Sequence, residues 1–150
     1  MKKVLFFSVV ALVLAACSKD KFETVPQVTI ESITPDQVYN GGIIQLVASV
    51  TDKEGDVQDS VLVVRKKYSG ATILSDDTTR VSIKGLGSPV KDKLELRITV
   101  SYGQQYPEYA IFQGLEYDFD REFTIGLVVK DNEGNRSEYV ESKRITLKKF

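Results

Sequence analysis

From Pro26 onward the chain alternates apolar and polar residues with a period of two, the pattern of strands that bury one face. Val28 and Ile30 alternate with Gln27, Thr29 and Glu31, and Ser32-Ile33-Thr34-Pro35-Asp36 then carries turn chemistry. Asn40-Gly41-Gly42 reads as a second turn, followed by a strand over residues 43–51 with Ile44, Leu46, Ala48 and Val50 on one face. Asp52-Lys53-Glu54-Gly55-Asp56 turns the chain again, and residues 60–67 form the next strand, with Leu62 and Val64 expected inward. The middle is less regular: a break at Tyr68-Ser69-Gly70, a short edge over 71–74, a turn at Asp76-Asp77, a short strand over 80–84, and a loop at Gly85-Leu86-Gly87-Ser88-Pro89. Leu94, Leu96, Ile98 and Val100 then alternate with polar residues without a fault, and Phe123, Ile125, Leu127 and Val129 form the next strand. Asp131-Asn132-Glu133-Gly134-Asn135 turns into a last strand over 139–147.

No long stretch of this region carries a 3.6-residue period, so almost no helix is expected. About seven to nine short strands in one unit predict an all-β fold, an antiparallel β-sandwich whose two sheets bury their apolar faces against each other. Leu46, Leu62, Leu96, Ile98, Ile125 and Leu127 are its expected core.

The first residues follow a different pattern. Lys2 and Lys3 precede an apolar run from Val4 to Ala16, interrupted by Ser8, which is shorter than the ~20 residues a membrane-spanning helix requires. The run ends in Leu14-Ala15-Ala16-Cys17, and Cys17 is the chain's single cysteine. This segment resembles a bacterial lipoprotein signal. The resemblance implies cleavage before Cys17, lipidation of the Cys17 thiol, and a domain at residues 26–150 held to a membrane by a polar tether over 17–25. Ser18 is not the Asp that resembles an inner-membrane retention signal, so outer-membrane delivery is implied. Asp20 and Glu23, interrupted by Lys19 and Lys21, weakly resemble a surface-export cluster, and the face of the membrane stays open.

Composition then removes several chemistries. The chain contains no His and no Trp, and lipidation of Cys17 leaves no thiol for a disulfide, a redox couple or a thiolate-bound metal. His-dependent triads, thiol nucleophiles and common zinc sites are thereby excluded, and no motif marks a carboxylate pair or a Ser-Lys arrangement, so a non-enzyme is expected. Removing residues 1–16 takes away Lys2 and Lys3 and no acid, leaving 18 basic residues against 21 acidic. That balance does not predict nucleic-acid binding.

Two stretches carry candidate sites. Val50-Thr51-Asp52-Lys53-Glu54-Gly55-Asp56 and Val129-Lys130-Asp131-Asn132-Glu133-Gly134-Asn135 share one form, each between two strands. This echo resembles the strand-turn-strand signature of extracellular Ig-like, fibronectin type III and PKD-type modules, and it implies an Ig-like sandwich in which both turns lie at one end. Asp52, Glu54 and Asp56, with Asp131 and Glu133, place carboxylates about a glycine, the donor set of a weak Ca²⁺ site. The plainer reading of the same residues, and the favoured one, is a hairpin turn, which requires Asp, Asn and Gly in any case. Tyr102, Tyr106, Tyr109 and Tyr117 form an aromatic segment suited to a sugar or a protein surface, or to capping the core. Two functions follow as expectations: a non-catalytic envelope lipoprotein whose Ig-like module binds a protein or glycan, or a structural spacer with no specific ligand. No tightly held cofactor is expected.

Overall fold

The computed structural model describes residues 24–53, 57, 60–82, 93–103, 110–112 and 119–149, all of them strand, turn or irregular chain. The strands are β1 (Gln27–Thr34), β2 (Gln37–Val38), β3 (Ile43–Thr51), β4 (Ser60–Ser69), β5 (Thr72–Ser82), β6 (Lys93–Tyr102), β7 (Ala110–Phe112), β8 (Arg121–Lys130), β9 (Val140–Glu141) and β10 (Ile145–Leu147). One sheet has the order β1-β3-β6-β7; the other runs β2-β10-β8-β4-β5, with β9 also on β8. The pairings are antiparallel except β2 with β10 and β6 with β7. With one sheet built on strands three and six and the other on a β10-β8-β4 centre, the order is that of an Ig-like sandwich.

The faces follow the alternation. Ile44, Leu46, Ala48 and Val50 of β3 meet Phe123, Ile125, Leu127 and Val129 of β8 in a shared core, all at 1% exposure or less. Leu96 and Val100 of β6 join them, with Ile98 partly buried against the cluster. Leu62 is a correction. Val61 and Val63 enter the core and are 2% and 0% exposed, so Leu62 and Val64 lie on the outer face. Val61-Leu62-Val63-Val64 is apolar throughout, and such a run does not say which alternate set faces in.

The middle of the chain is also more regular than expected. The short edge, the turn at Asp76-Asp77 and the short strand are one continuous strand, β5, lying along β4. Asp76 is opposite Lys66 and Asp77 opposite Arg65, so the two acids face basic cross-strand neighbours and stay in the ladder. β1 similarly runs through Ser32-Ile33-Thr34 with an irregularity between Ile30 and Ser32, and Ile33 is buried.

The last strand divides at two serines that perform the same task. Ser137 N donates to Val129 O at 2.9 Å while its hydroxyl accepts from Val129 N at 2.9 Å. Ser142 N donates to Ile125 O at 3.0 Å while its hydroxyl accepts from Ile125 N at 3.0 Å. At both places the chain leaves the ladder and a side chain satisfies the buried β8 donor that a carbonyl would otherwise meet.

The two ends of the sandwich are distinguishable by their cross-links. Gly41 N donates to Tyr102 O at 2.7 Å, Lys148 N donates to Val38 O at 2.8 Å, and the Tyr102 hydroxyl reaches Lys148 O at 3.4 Å. These bonds bring the start of β3 and the end of β6 beside the end of β10, which pairs with the start of β8. Gly103 completes this end in a left-handed conformation with φ of 86°, and a Cβ there would meet Asn40 Oδ1 at 1.9 Å. The opposite end therefore collects the first residue of β1, the ends of β3 and β8, and the start of β4, as the pairs Gln27 with Thr51 and Ser60 with Lys130 require. The chain enters the domain at that second end.

Candidate functional site

The two acidic turns leave β3 and β8 at the same end, the one where the chain enters. Asp52 and Asp131 are each 1% exposed, at equivalent positions just past the last strand residue. Asp131 closes its own turn: Oδ1 accepts from Asn135 N and Oδ2 from Asn135 Nδ2, both at 2.8 Å, and Asp131 N donates back to Asn135 O at 3.2 Å. This is hairpin chemistry. Glu133 is exposed, and Glu54 and Asp56 lie outside the described residues. Among the described residues no three acidic, His or Cys side chains are grouped to hold a metal ion.

Of the aromatic segment, Tyr102 belongs to the core: it is 4% exposed and its hydroxyl reaches the Lys148 carbonyl, so the ligand-binding role expected of it gives way to capping. Tyr106, Tyr109 and Tyr117 lie outside the described residues, as does Cys17. The exposed aromatics are elsewhere. Tyr39 and Phe119 are 64% and 63% exposed at the end away from chain entry, and Ile43 nearby is 39% exposed. Lys148 ties the two segments together: its ammonium pairs with Asp120, next in sequence to Phe119, and its backbone N donates to the carbonyl of Val38, next to Tyr39. The Arg121 guanidinium stands 5.3 Å from the centre of the Phe119 ring.

On the outer face of the larger sheet lies a polar cluster centred on Glu141. Lys66, Tyr68, Thr124 and Tyr139 all point at its carboxylate. The Tyr68 and Thr124 hydroxyls donate to Oε1, the Tyr139 hydroxyl donates to Oε2 at 3.1 Å and the Lys66 ammonium at 3.3 Å. Register assembles them: Lys66 is opposite Thr124, and Gly126 is opposite Glu141. Gly126 is needed because the Tyr139 ring lies over it, and a Cβ there would come within 2.3 Å of the ring. Lys66 Nζ in turn sits 4.4 Å from that ring's centre. Above this cluster Arg144 stacks 4.1 Å from the Tyr68 ring centre and bonds Glu122 at 2.7 Å.

Burial opposes ionisation of Glu141, but the four donors, Thr124 and Tyr68 foremost, outweigh it and hold the carboxyl down at about 2. Lys66 is held above the ordinary lysine range by Tyr139 first, against burial, and by Glu141. Burial pushes the Tyr139 phenol up. A carboxylate so depressed has no proton to give at neutral pH and little basicity, so the cluster acts as a clasp joining β4, β8 and β9. Because the folded-state value lies below the ordinary 4.5, the clasp contributes fully above pH 4.5 and is lost as pH falls through about 2. Allowing for solvent screening of a partly exposed group, that contribution is on the order of 1 kcal/mol. The stability difference between the wild type and Glu141→Gln, read from thermal midpoints, should therefore shrink as pH falls from about 5 to 2 and disappear below; a pH-independent difference would refute the role.

Sequence reading missed this cluster because nothing along the chain joins residues 66, 124 and 141; only strand pairing does. The same face carries a shallow cavity of about 60 Å³ over Leu62 and Val128, ringed by Ser60, Arg80, Lys130 and Arg136.

Comparison with known proteins leaves the assignment at the fold. No family model and no curated protein matches the chain. Among solved structures, the sporulation control protein Spo0M from Bacillus subtilis superposes with a TM-score of 0.46 at 10% identity, covering 84% of this chain and 50% of Spo0M. A cohesin module from a Clostridium perfringens family 33 glycoside hydrolase gives 0.45 at 13% identity, covering 85% of this chain and 100% of the module. Murine CRIg gives 0.33 at 14% identity, covering 83% and 98%. The chain thus spans half the length of Spo0M and nearly all of the other two, and at these identities none of the three lends it a role.

Proposed function

We propose that this chain is a non-catalytic outer-membrane lipoprotein, lipidated at Cys17, whose Ig-like module binds an envelope protein or glycan with the end farthest from its tether. The observation that supports this reading is directional. The chain enters the sandwich at Gln27, beside Thr51, while Tyr39, Phe119 and Ile43 are exposed at the opposite end. Single exposed apolar residues are ordinary on any surface. Two aromatics more than 60% exposed, flanking one Lys-Asp pair at one end of the domain, have the composition of a contact surface, where aromatic residues are enriched. A tether through Cys17 would hold the acidic turns toward the lipid and present the aromatic end outward.

Photocrosslinking in intact cells tests this against the spacer reading. A photoreactive residue at Tyr39 or Phe119 should yield a discrete adduct that the same residue at Glu133, at the tether end, does not. A spacer would give no discrete adduct at any of the three positions.

A further inference from the structure

The outermost strand of the larger sheet carries a self-complementary pattern. β5 is 11 residues long, pairs with β4 along one edge, and among the described residues has no strand on the other. Long edges of this kind are ordinarily blunted by charged side chains, Lys above all, by Pro or by a bulge; the charges of β5, Asp76, Asp77 and Arg80, are of both signs, so a second copy can pair with them as well as be repelled. β5 contains neither Lys nor Pro, its one irregularity falls between Ser75 and Ile73, and from Ser75 to Ser82 its ladder with β4 is regular. Ile73, Leu74 and Val81 are 50%, 53% and 42% exposed along it.

We propose that two copies of the chain join edge to edge through antiparallel pairing of β5, with the two-fold axis at Thr78. Such an axis, normal to the sheet, places residues of the same face opposite each other. Register with β4 puts Asp76, Thr78, Arg80 and Ser82 on the outer face, opposite Lys66, Val64, Leu62 and Ser60. An axis at Asp76, Asp77 or Arg80 sets like charges against each other, which destabilises a cross-strand pair. An axis at Thr79 leaves Asp76 opposite Ser82 and Asp77 opposite Val81. An axis at Thr78 sets Asp76 against Arg80 of the second copy and Arg80 against its Asp76, with Ser75 opposite Val81 and Asp77 opposite Thr79. This register alone forms two opposite-charge pairs and no like-charge pair, and the contact is isologous and closed. It leaves the aromatic end and the chain entry of both copies free.

The test uses the purified full-length chain in detergent with an added oxidant, so that it does not depend on localisation or lipidation. In a Cys17→Ser background, Thr78→Cys places the only thiol on the axis, where directly opposed Cα atoms are ~4.5–5.5 Å apart, within disulfide reach. Thr72→Cys, about 20 Å along the strand from the axis, is the control. Thr78→Cys should give at least about tenfold more disulfide-linked dimer than Thr72→Cys. Adding Asp76→Arg or Arg80→Asp reverses both pairs and should lower the yield by about tenfold, the factor that ~1.4 kcal/mol produces. Mixing those two charge variants should restore a dimer that contains one of each, because Arg at 76 then meets Asp at 80 and Arg at 80 meets Asp at 76. That recovery also shows that both variants are folded. Equal crosslinking at residues 78 and 72, or a yield that ignores the charge changes, would overturn the proposal.

Discussion

Phe123→Ala should lower the unfolding free energy by about 3–5 kcal/mol, the loss expected when a large aromatic is removed from a site too tightly packed to close over the gap. Phe123 is the largest fully buried side chain among the described residues, 0% exposed, on the central strand of the larger sheet between Ile145 of β10 and Lys67 of β4. Its loss opens the core where both neighbouring strands depend on it. Leu62→Ala removes a smaller apolar group, and from the outer face, where part of the side chain already meets solvent, and should cost less than about 1.5 kcal/mol. Urea unfolding followed by circular dichroism and tyrosine fluorescence, which no tryptophan obscures, measures both. Equal losses would mean that Leu62, not Val61 and Val63, faces inward.

That contrast also marks where the sequence is legible. β3, β6 and β8 carry an unbroken apolar set at every second position, and those faces are the ones that pack; in β6 every intervening position is polar, while in β3 and β8 Val47 and Val128 are the exceptions inside the pattern and stay only partly buried. β4 runs through four consecutive apolar residues after Ser60 and loses its phase information. β5 misleads for a different reason: Asp76-Asp77 has turn composition, and only the opposing Arg65 and Lys66, brought there by pairing, keep it extended. The candidate sites divide on the same line. The role of Asp131 is local and could be read from the spacing of Asp131 and Asn135. Of the four donors to Glu141 only Tyr139 is local; Lys66, Tyr68 and Thr124 come from β4 and β8, 17 to 75 residues away, and no local pattern announces them. Tyr102 looks like its aromatic neighbours in sequence and differs in being the last residue of a core strand.

Cys17→Ser should abolish stable membrane association while leaving the domain's thermal midpoint unchanged. Each buried methylene contributes ~0.8 kcal/mol, and a single acyl chain holds only reversibly, so a lipoprotein's two or three chains account for essentially all of its attachment. The first strand begins at Gln27, and among the described residues the core is built from Val28 onward. Fractionation, mass measurement of the N-terminal peptide and calorimetry check the three parts separately. A variant that still fractionates with membranes through an acylated N-terminus would overturn the lipidation reading, and a shifted midpoint would mean that the tether packs on the domain.

The entry of the chain at one end and the exposure of Tyr39 and Phe119 at the other have a mechanical consequence. A pull between Gln27 and the far end runs along the strands, not across them. The first strand to feel it, β1, is joined to β3 through seven residue pairs from Gln27–Thr51 to Thr34–Gln45. Force in that direction loads the pairs in shear, so that they share the strain and must fail together, whereas a pull at right angles would peel them one at a time. The lifetime of the domain under such a load is set by the height of its unfolding barrier and not by its equilibrium stability. Substitutions along β1 would therefore weaken its resistance to drag more than their effect on a melting curve suggests.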